Sequence, residues 1–347
     1  MPLPYATAGL SHGATDAALV CALQRDLRML GYLDQGIDGA FGAATAAAVR
    51  RLQYDLQHND GGSTGGDGAA PVAVRDYNQG RVNAETGSVD PALAACIEAL
   101  LNDPRWPKLP SATDAADANR RARASIAAMP TAVAPTPFLL AIFQQESSGR
   151  HFAEPAGDDQ DSFVTLGLDC RPDAPNHITS RGYGIGQYTL FHHPPRPEEM
   201  QAVIADPLGN VQRAQALLRD KLEHFLRGGS PATIADDLQA EHPVSAAPSL
   251  CRYAADDPRH LRDCRACVAQ TERHDLTPKT PLYAGATQTY GQAVHYKPTT
   301  YRDVPIRAEF PCDWPYAVRR YNGNGPDSYH YQARVLLHLA SPQSEGT

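Results

Sequence analysis

The chain has 347 residues, 42% of them hydrophobic and 20% charged, which excludes a disordered or low-complexity protein and leaves room for two or three domains. Thirty-one Lys and Arg stand against 39 Asp and Glu, and the resulting net charge of −8 argues against a broad electrostatic footprint for nucleic acid. No apolar run approaches the roughly 18–20 residues that span a bilayer.

The first periodic segment begins near Val20, where Val20, Leu23, Leu27 and Leu30 recur at helical spacing and Gly31 stops the run. A turn-rich GYLDQGIDGAFG follows, and then a second helical stripe of Ala44, Ala48, Leu52 and Leu56. The glycine-rich HNDGGSTGGDGAAP reads as a flexible insertion, placed at about 58–80. Helical character returns after Asp90, with Pro91 suited to a first turn. Residues 1–103 are therefore expected to form one small three-helix module, and the Pro-, Ala- and Arg-rich 104–130 a linker with a short helix across 112–128. A larger domain, 131–347, opens on a helix capped by Thr136 and led by Pro137, in which Leu139, Ile142, Phe143 and Glu146 share a face before Gly149. Further helices are predicted over 197–228 and 327–340, flanking a polar insertion at about 240–310.

Glu146 carries the chemistry. A carboxyl group near the end of an apolar helix is desolvated and lies at the negative end of the helix dipole, and both effects favour its protonated form. A protonated glutamic acid is what a glycosidase uses on the leaving oxygen of a glycosidic bond. FLLAIFQQESSG, then RGYGIGQYTL, then RRYNGNGPDSYHYQARVL resemble, in that order, the lysozyme-like lytic transglycosylases and goose-type lysozymes. The resemblance implies a lysozyme-like α(+β) domain with Glu146 as acid and Ser147 at the helix end. It also implies that Tyr183, Gln187 and Tyr188 line a cleft, that Tyr321 and Asn322 pack over it with Tyr321 near Glu146, and that Tyr331, on the helix that follows, is a further substrate-binding candidate. Where goose-type relatives have an Asp two positions beyond the Gln, this chain has Thr189. A hydrolase would need Asp161, Asp169 or Asp173, alone or beside Thr189, to orient water; a transglycosylase needs no second carboxylate.

LQRDLRMLGYLDQGIDGAFGAATAAAVRRLQ resembles the three-helix peptidoglycan-binding domain, with Leu30, Ile37, Phe41 and Val49 as its small core. That resemblance implies peptidoglycan as partner, and Tyr32 and Asp38 are the candidate contacts near its first turn. The class expected is thus mainly α: a small peptidoglycan-binding-like domain, then the larger catalytic one. The combined reading is cleavage of the MurNAc-β-1,4-GlcNAc bond, against the alternative of a non-catalytic wall-binding or structural protein.

Seven cysteines are too few for a disulfide-built scaffold. Cys251, Cys264, Cys267 and Cys312 cluster late in the chain and suit either disulfides, the preferred reading, or a structural zinc. His192 and His193 form no recognised metal motif, and no cofactor is expected. The N-terminal sequence lacks a basic start followed by an apolar core, so no secretory signal is recognised. The expectation is synthesis in the cytoplasm and action at the wall after phage lysis, tail delivery or injection, in the last case with a cognate inhibitor or immunity protein.

Overall fold

The computed structural model describes residues 3–127, 129, 133–227, 249–265, 312–322 and 326–340. Two compact units form, Met1–Ala122 with Arg150–Asn210, and Arg123–Gly149 with Val211–Thr347. The first is an N-terminal helical region continued by a small sheet, and the second is helical over its described residues. No described helix is long and apolar enough to cross a membrane.

In the first unit, α1 (Ala17–Met29), α2 (Ala43–His58) and α3 (Pro91–Asn102) pack their apolar stripes together. Asp16 and Asp90 cap α1 and α3 by accepting from the backbone N–H of Leu19 and Leu93. Val20, Leu23, Leu27, Val49, Leu52, Leu56 and Ile97 are fully buried there, and Ile178 from the sheet joins the same core. The sheet is antiparallel, with β1 (Leu166–Arg171), β2 (Ala174–Tyr183) and β3 (Tyr188–Leu190) in the order β1-β2-β3. A second core gathers Ile37, Leu109, Phe152, Phe163, Val164, Leu166 and Ile204.

Two expectations are corrected here. Residues 104–130 do not behave as a linker: Trp106 is buried in the module core, Leu109 N–H donates to Met29 O, and Val164 N–H donates to Pro110 O. Helix α4 (Ala115–Ala127) follows directly. Nor is the glycine-rich insertion merely a tether. Thr64 N–H donates to Phe191 O at 2.9 Å, Phe191 N–H donates to Asp67 Oδ2 at 2.8 Å, and Val74 is buried within a short 3-10 turn, Val74–Tyr77. Glycine content signalled backbone freedom; the hydrogen bonds that use it come from residues more than a hundred positions away.

Buried ion pairs stitch module to sheet. Arg28 meets Asp161 at 2.8 Å, and its other guanidinium nitrogens donate to Leu33 O and Val164 O. Arg181 on β2 reaches Asp55 on α2 at 3.2 Å and donates to Gly31 O. Removing one partner of such a pair strands the other in a poorly solvated interior.

In the second unit, α5 (Thr136–Ser147) packs on α9 (Pro326–Ala340), with α8 (Trp314–Tyr321) against both. Pro135, rather than Thr136, is the cap residue of α5. Trp314 is buried and donates through Nε1 to Leu250 O at 3.0 Å, fixing the start of α8. The long helical run expected from 197 is interrupted: α6 (Pro197–Glu199) passes into a π turn, Met200–Ile204, before α7 (Pro207–Arg227). The apolar spacing survives the break, since Val211, Ala214, Leu218 and Leu222 are buried. The polar insertion lies largely outside the described residues.

Candidate functional site

Glu146 stands in the last turn of α5. Phe138, Leu139, Ala141, Ile142 and Phe143 bury the apolar face of that helix, and Glu146 is half-buried beyond them. The helix end is closed by a left-handed pair. Ser148 has φ 55°, Gly149 has φ 70°, and the N–H groups of both turn back to Phe143 O. Ser147, read as a substrate contact, donates its hydroxyl to the same carbonyl at 3.1 Å.

Helix α9 supplies the partners of this turn. Tyr331 donates its phenolic proton to Glu146 Oε1 at 2.5 Å. The Tyr321 ring lies parallel to that of Tyr331, centroids 6.4 Å apart and planes within 10°. Burial, then the Glu146 charge, raises the pKa of both phenols well above the usual tyrosine value, so both keep their protons and remain donors. One residue back, Gln145 Oε1 accepts from Arg334 Nε at 3.0 Å and pairs with His338 Nε2 at 3.3 Å. Sequence reading placed Tyr321 near Glu146 and Tyr331 only on the following helix, and it missed Gln145, Arg334 and His338; the i, i+4 spacing of Arg334 and His338 on α9 was the available signal. Asn322, also a candidate, is the exposed C-cap of α8.

The glycine-rich candidates belong to the first unit. Residues 184–187 form the β2–β3 turn, which His151 and Asn210 hold from beneath. Ile185 N–H approaches His151 Nδ1 at 3.3 Å, Gly186 N–H donates to Asn210 Oδ1 at 2.8 Å, and Asn210 Nδ2 donates to Tyr183 O at 2.8 Å. A Cβ on Gly184 would lie 2.5 Å from His151 Cε1, so glycine is required by space as well as by its φ of 72°. Gln187 adopts φ 48°, rare for a residue with a side chain, and its Nε2 bonds Gly184 O at 2.8 Å. Its Oε1 lies over Gly167 and Gly182, where any Cβ would collide with it. Tyr183 is fully buried, which removes it as a surface contact; Tyr188 is half-buried.

The candidate water-orienting groups are distributed over the same unit. Asp161 is buried in its ion pair with Arg28, and its Oδ1 accepts from Phe163 N–H, a structural commitment. Asp169 is exposed on β1 and accepts from Ser180 Oγ at 2.7 Å. Asp173 is exposed and bound to Arg171, whose guanidinium draws its pKa below the usual carboxylate range. Thr189 is exposed and donates to Gln187 O. His192, buried, is bracketed by Glu199 Oε2 at 2.9 Å and Asp67 Oδ1 at 3.1 Å.

In comparison with known families, residues 16–62 fit the family described as "Putative peptidoglycan binding domain". No curated protein matches the chain. No solved structure matches it either.

Residues 16–62 are a peptidoglycan-binding domain.

Within this domain the predicted core residues Leu30, Ile37, Phe41 and Val49 are all buried, although Ile37 packs into the second core rather than with the helices. Tyr32, offered as a wall contact, is corrected. It is fully buried, donates to Asp55 Oδ2 at 2.9 Å, and lies edge-on to His193. Asp38 stays near the surface, where its Oδ1 accepts from Gln24 Nε2 and from Ala40 N–H, shaping the tight turn. Gly39 N–H completes that turn by donating to Gln24 Oε1.

No disulfide joins two of the described cysteines, against the preferred reading. Cys251 Sγ instead accepts from Leu261 N–H at 3.4 Å, and Cys267 lies outside the described residues. Among the described residues no group of three His, Cys, Asp or Glu side chains is arranged to hold a metal ion.

Proposed function

We propose that the chain binds peptidoglycan through its N-terminal domain and cleaves the glycan strand at the MurNAc-β-1,4-GlcNAc bond, with Glu146 as general acid. The observation that carries this reading is the hydrogen bond from Tyr331 to Glu146 Oε1, beside the stacked Tyr321 ring. Tyr331 holds Oε1 as an acceptor, and in this reading Glu146 gives its own proton to the leaving oxygen. Tyr331 orients the carboxyl group while both phenols retain their own protons.

Between the two chemistries, the commitments of Asp161 to Arg28 and Asp173 to Arg171 favour a lytic transglycosylase. In that reaction Glu146 gives its proton to the leaving oxygen, then takes the proton of the muramyl 6-hydroxyl as that oxygen closes onto C1. The product is a 1,6-anhydro end, and no water is consumed. Such an enzyme acts at the wall, whether released by a phage or injected, and an injected one calls for an inhibitor in the producing cell.

The test is mass spectrometry of purified peptidoglycan digested by the wild-type protein and by Glu146→Gln. Anhydromuramyl ends from wild type alone are the expected result. Reducing ends would turn the reading to a hydrolase, with Asp169 and Thr189 the next candidates. No new ends from a folded, wall-binding protein would overturn the enzyme reading in favour of a non-catalytic wall protein.

A further inference from the structure

We propose that the first unit holds a subsite for a single N-acetylated sugar ring, in the pocket between the C-terminal end of α2 and strand β2. The proposal rests on the wall-binding reading of the N-terminal domain and gives that reading a location. The pocket encloses about 190 Å³. That is slightly more than the ~150 Å³ cavity that takes up one benzene-sized ring, room for a single ring rather than a folded peptide.

Its walls are flat and aromatic. Tyr54 and His58 stand one turn apart on α2, with ring centroids 4.5 Å apart, and His177 from β2 stacks on Tyr54 at 5.1 Å with planes 21° apart. Tyr54 and His177 cover one face of each other, so a pyranose would meet the remaining faces and the polar edges of the three rings. Thr179 adds a hydroxyl on the same strand.

The floor is more specific. Asp55 and Arg181 line it as a buried pair, with side chains 5% and 4% exposed. Asp55 Oδ2 is fully engaged by Tyr32, Arg181 and Asn59, and Arg181 uses Nε on Gly31 O and Nη2 on Asp55. Among the described residues nothing donates to Asp55 Oδ1 and nothing accepts from Arg181 Nη1. Both residues line the open pocket, where water can reach these atoms, so a ligand that displaces that water must supply a complementary donor and acceptor. An acetamido substituent presents an N–H and a C=O side by side and is neutral, as the ion pair is. A free amine would satisfy Asp55 but oppose Arg181, and an anion would do the reverse. Five of the lining residues, 177–181, come from β2, outside the matched residues 16–62, so the subsite belongs to the whole unit rather than to the matched segment.

The experiment is an NMR titration of the full-length protein with N-acetylglucosamine, and with glucosamine as the control lacking the acetyl group. The expected result is saturable shifts of amide resonances in 54–64 and 177–181 with N-acetylglucosamine, and binding of glucosamine weaker by about tenfold. Since Asp55 is buried, the half-buried His177 makes the safer variant: His177→Ala should weaken N-acetylglucosamine by about tenfold while the chain keeps its circular dichroism. Shifts absent or confined elsewhere, equal binding of glucosamine, or an unchanged His177→Ala would each overturn the proposal. Co-sedimentation of the wild type with sacculi separates the two readings. Sedimentation without a sugar response overturns the subsite alone, and a sugar response without sedimentation overturns the wall-binding reading alone.

Discussion

At Glu146 the proposed chemistry depends on one phenolic proton. Tyr331→Phe keeps the ring and its stacking on Tyr321 while removing the hydrogen bond to Oε1. A hydrogen bond between neutral groups contributes roughly 0.5–1.5 kcal/mol, so glycan cleavage should fall by about 2- to 10-fold with little change in melting temperature. Equal turnover by the two proteins on purified sacculi would remove Tyr331 from the mechanism. Asp161 makes the opposite forecast. As the partner of Arg28 it holds structure, and Asp161→Ala should lower unfolding stability by about 3–5 kcal/mol, read as a shifted urea midpoint. The sequence showed a loop aspartate and offered it as a base. It could not show the arginine 133 positions earlier that claims it.

Elements were legible to the extent that their signals are local. Periodicity and caps located α1, α2, α3 and α5, because apolar stripes and Asp or Pro at a first turn act over a few residues. The β-sheet was not visible as such. β1 reads LGLDCR and β2 carries His, Asn and Arg, and their apolar positions make sense only once Ile178 is seen in the helical core. The β2–β3 turn, found through a resemblance, is held by a residue no motif named. His151 is buried, and burial lowers its pKa to about 4. Its ordinary value is 6.5, so between pH 6.5 and 4 the unfolded chain takes up a proton that the folded chain refuses. The stability present above pH 6.5 should therefore be lost progressively as the pH falls towards 4, a loss of order 3 kcal/mol at most. Thermal melts across that range should show the decline, and His151→Gln should flatten it. Gly184→Ala, which thrusts a methyl group at the same imidazole, should cost about 1–3 kcal/mol at neutral pH.

For the whole molecule, the sequence suggested beads on a string, a wall-binding module, a linker and a catalytic body. Composition prompted that division, since 104–130 is rich in Pro, Ala and Arg. Yet Trp106 lies in the module's core, and the module's own helices bury Ile178 and bind β2 through Asp55 and Arg181. A chain beginning at residue 104 should consequently fail to protect the amides of residues 150–210 against hydrogen exchange, whereas independent folding of that remnant would restore the modular picture. The stitching by Arg28–Asp161 and Arg181–Asp55 also bears on attempts to retarget such proteins by swapping the N-terminal segment. A transplant cut at a conventional domain border would carry half of each buried pair into a foreign host and leave the other half behind. The transferable cassette is discontinuous, 1–122 together with 150–210, and a graft that moves both pieces keeps Arg28 with Asp161 and Arg181 with Asp55.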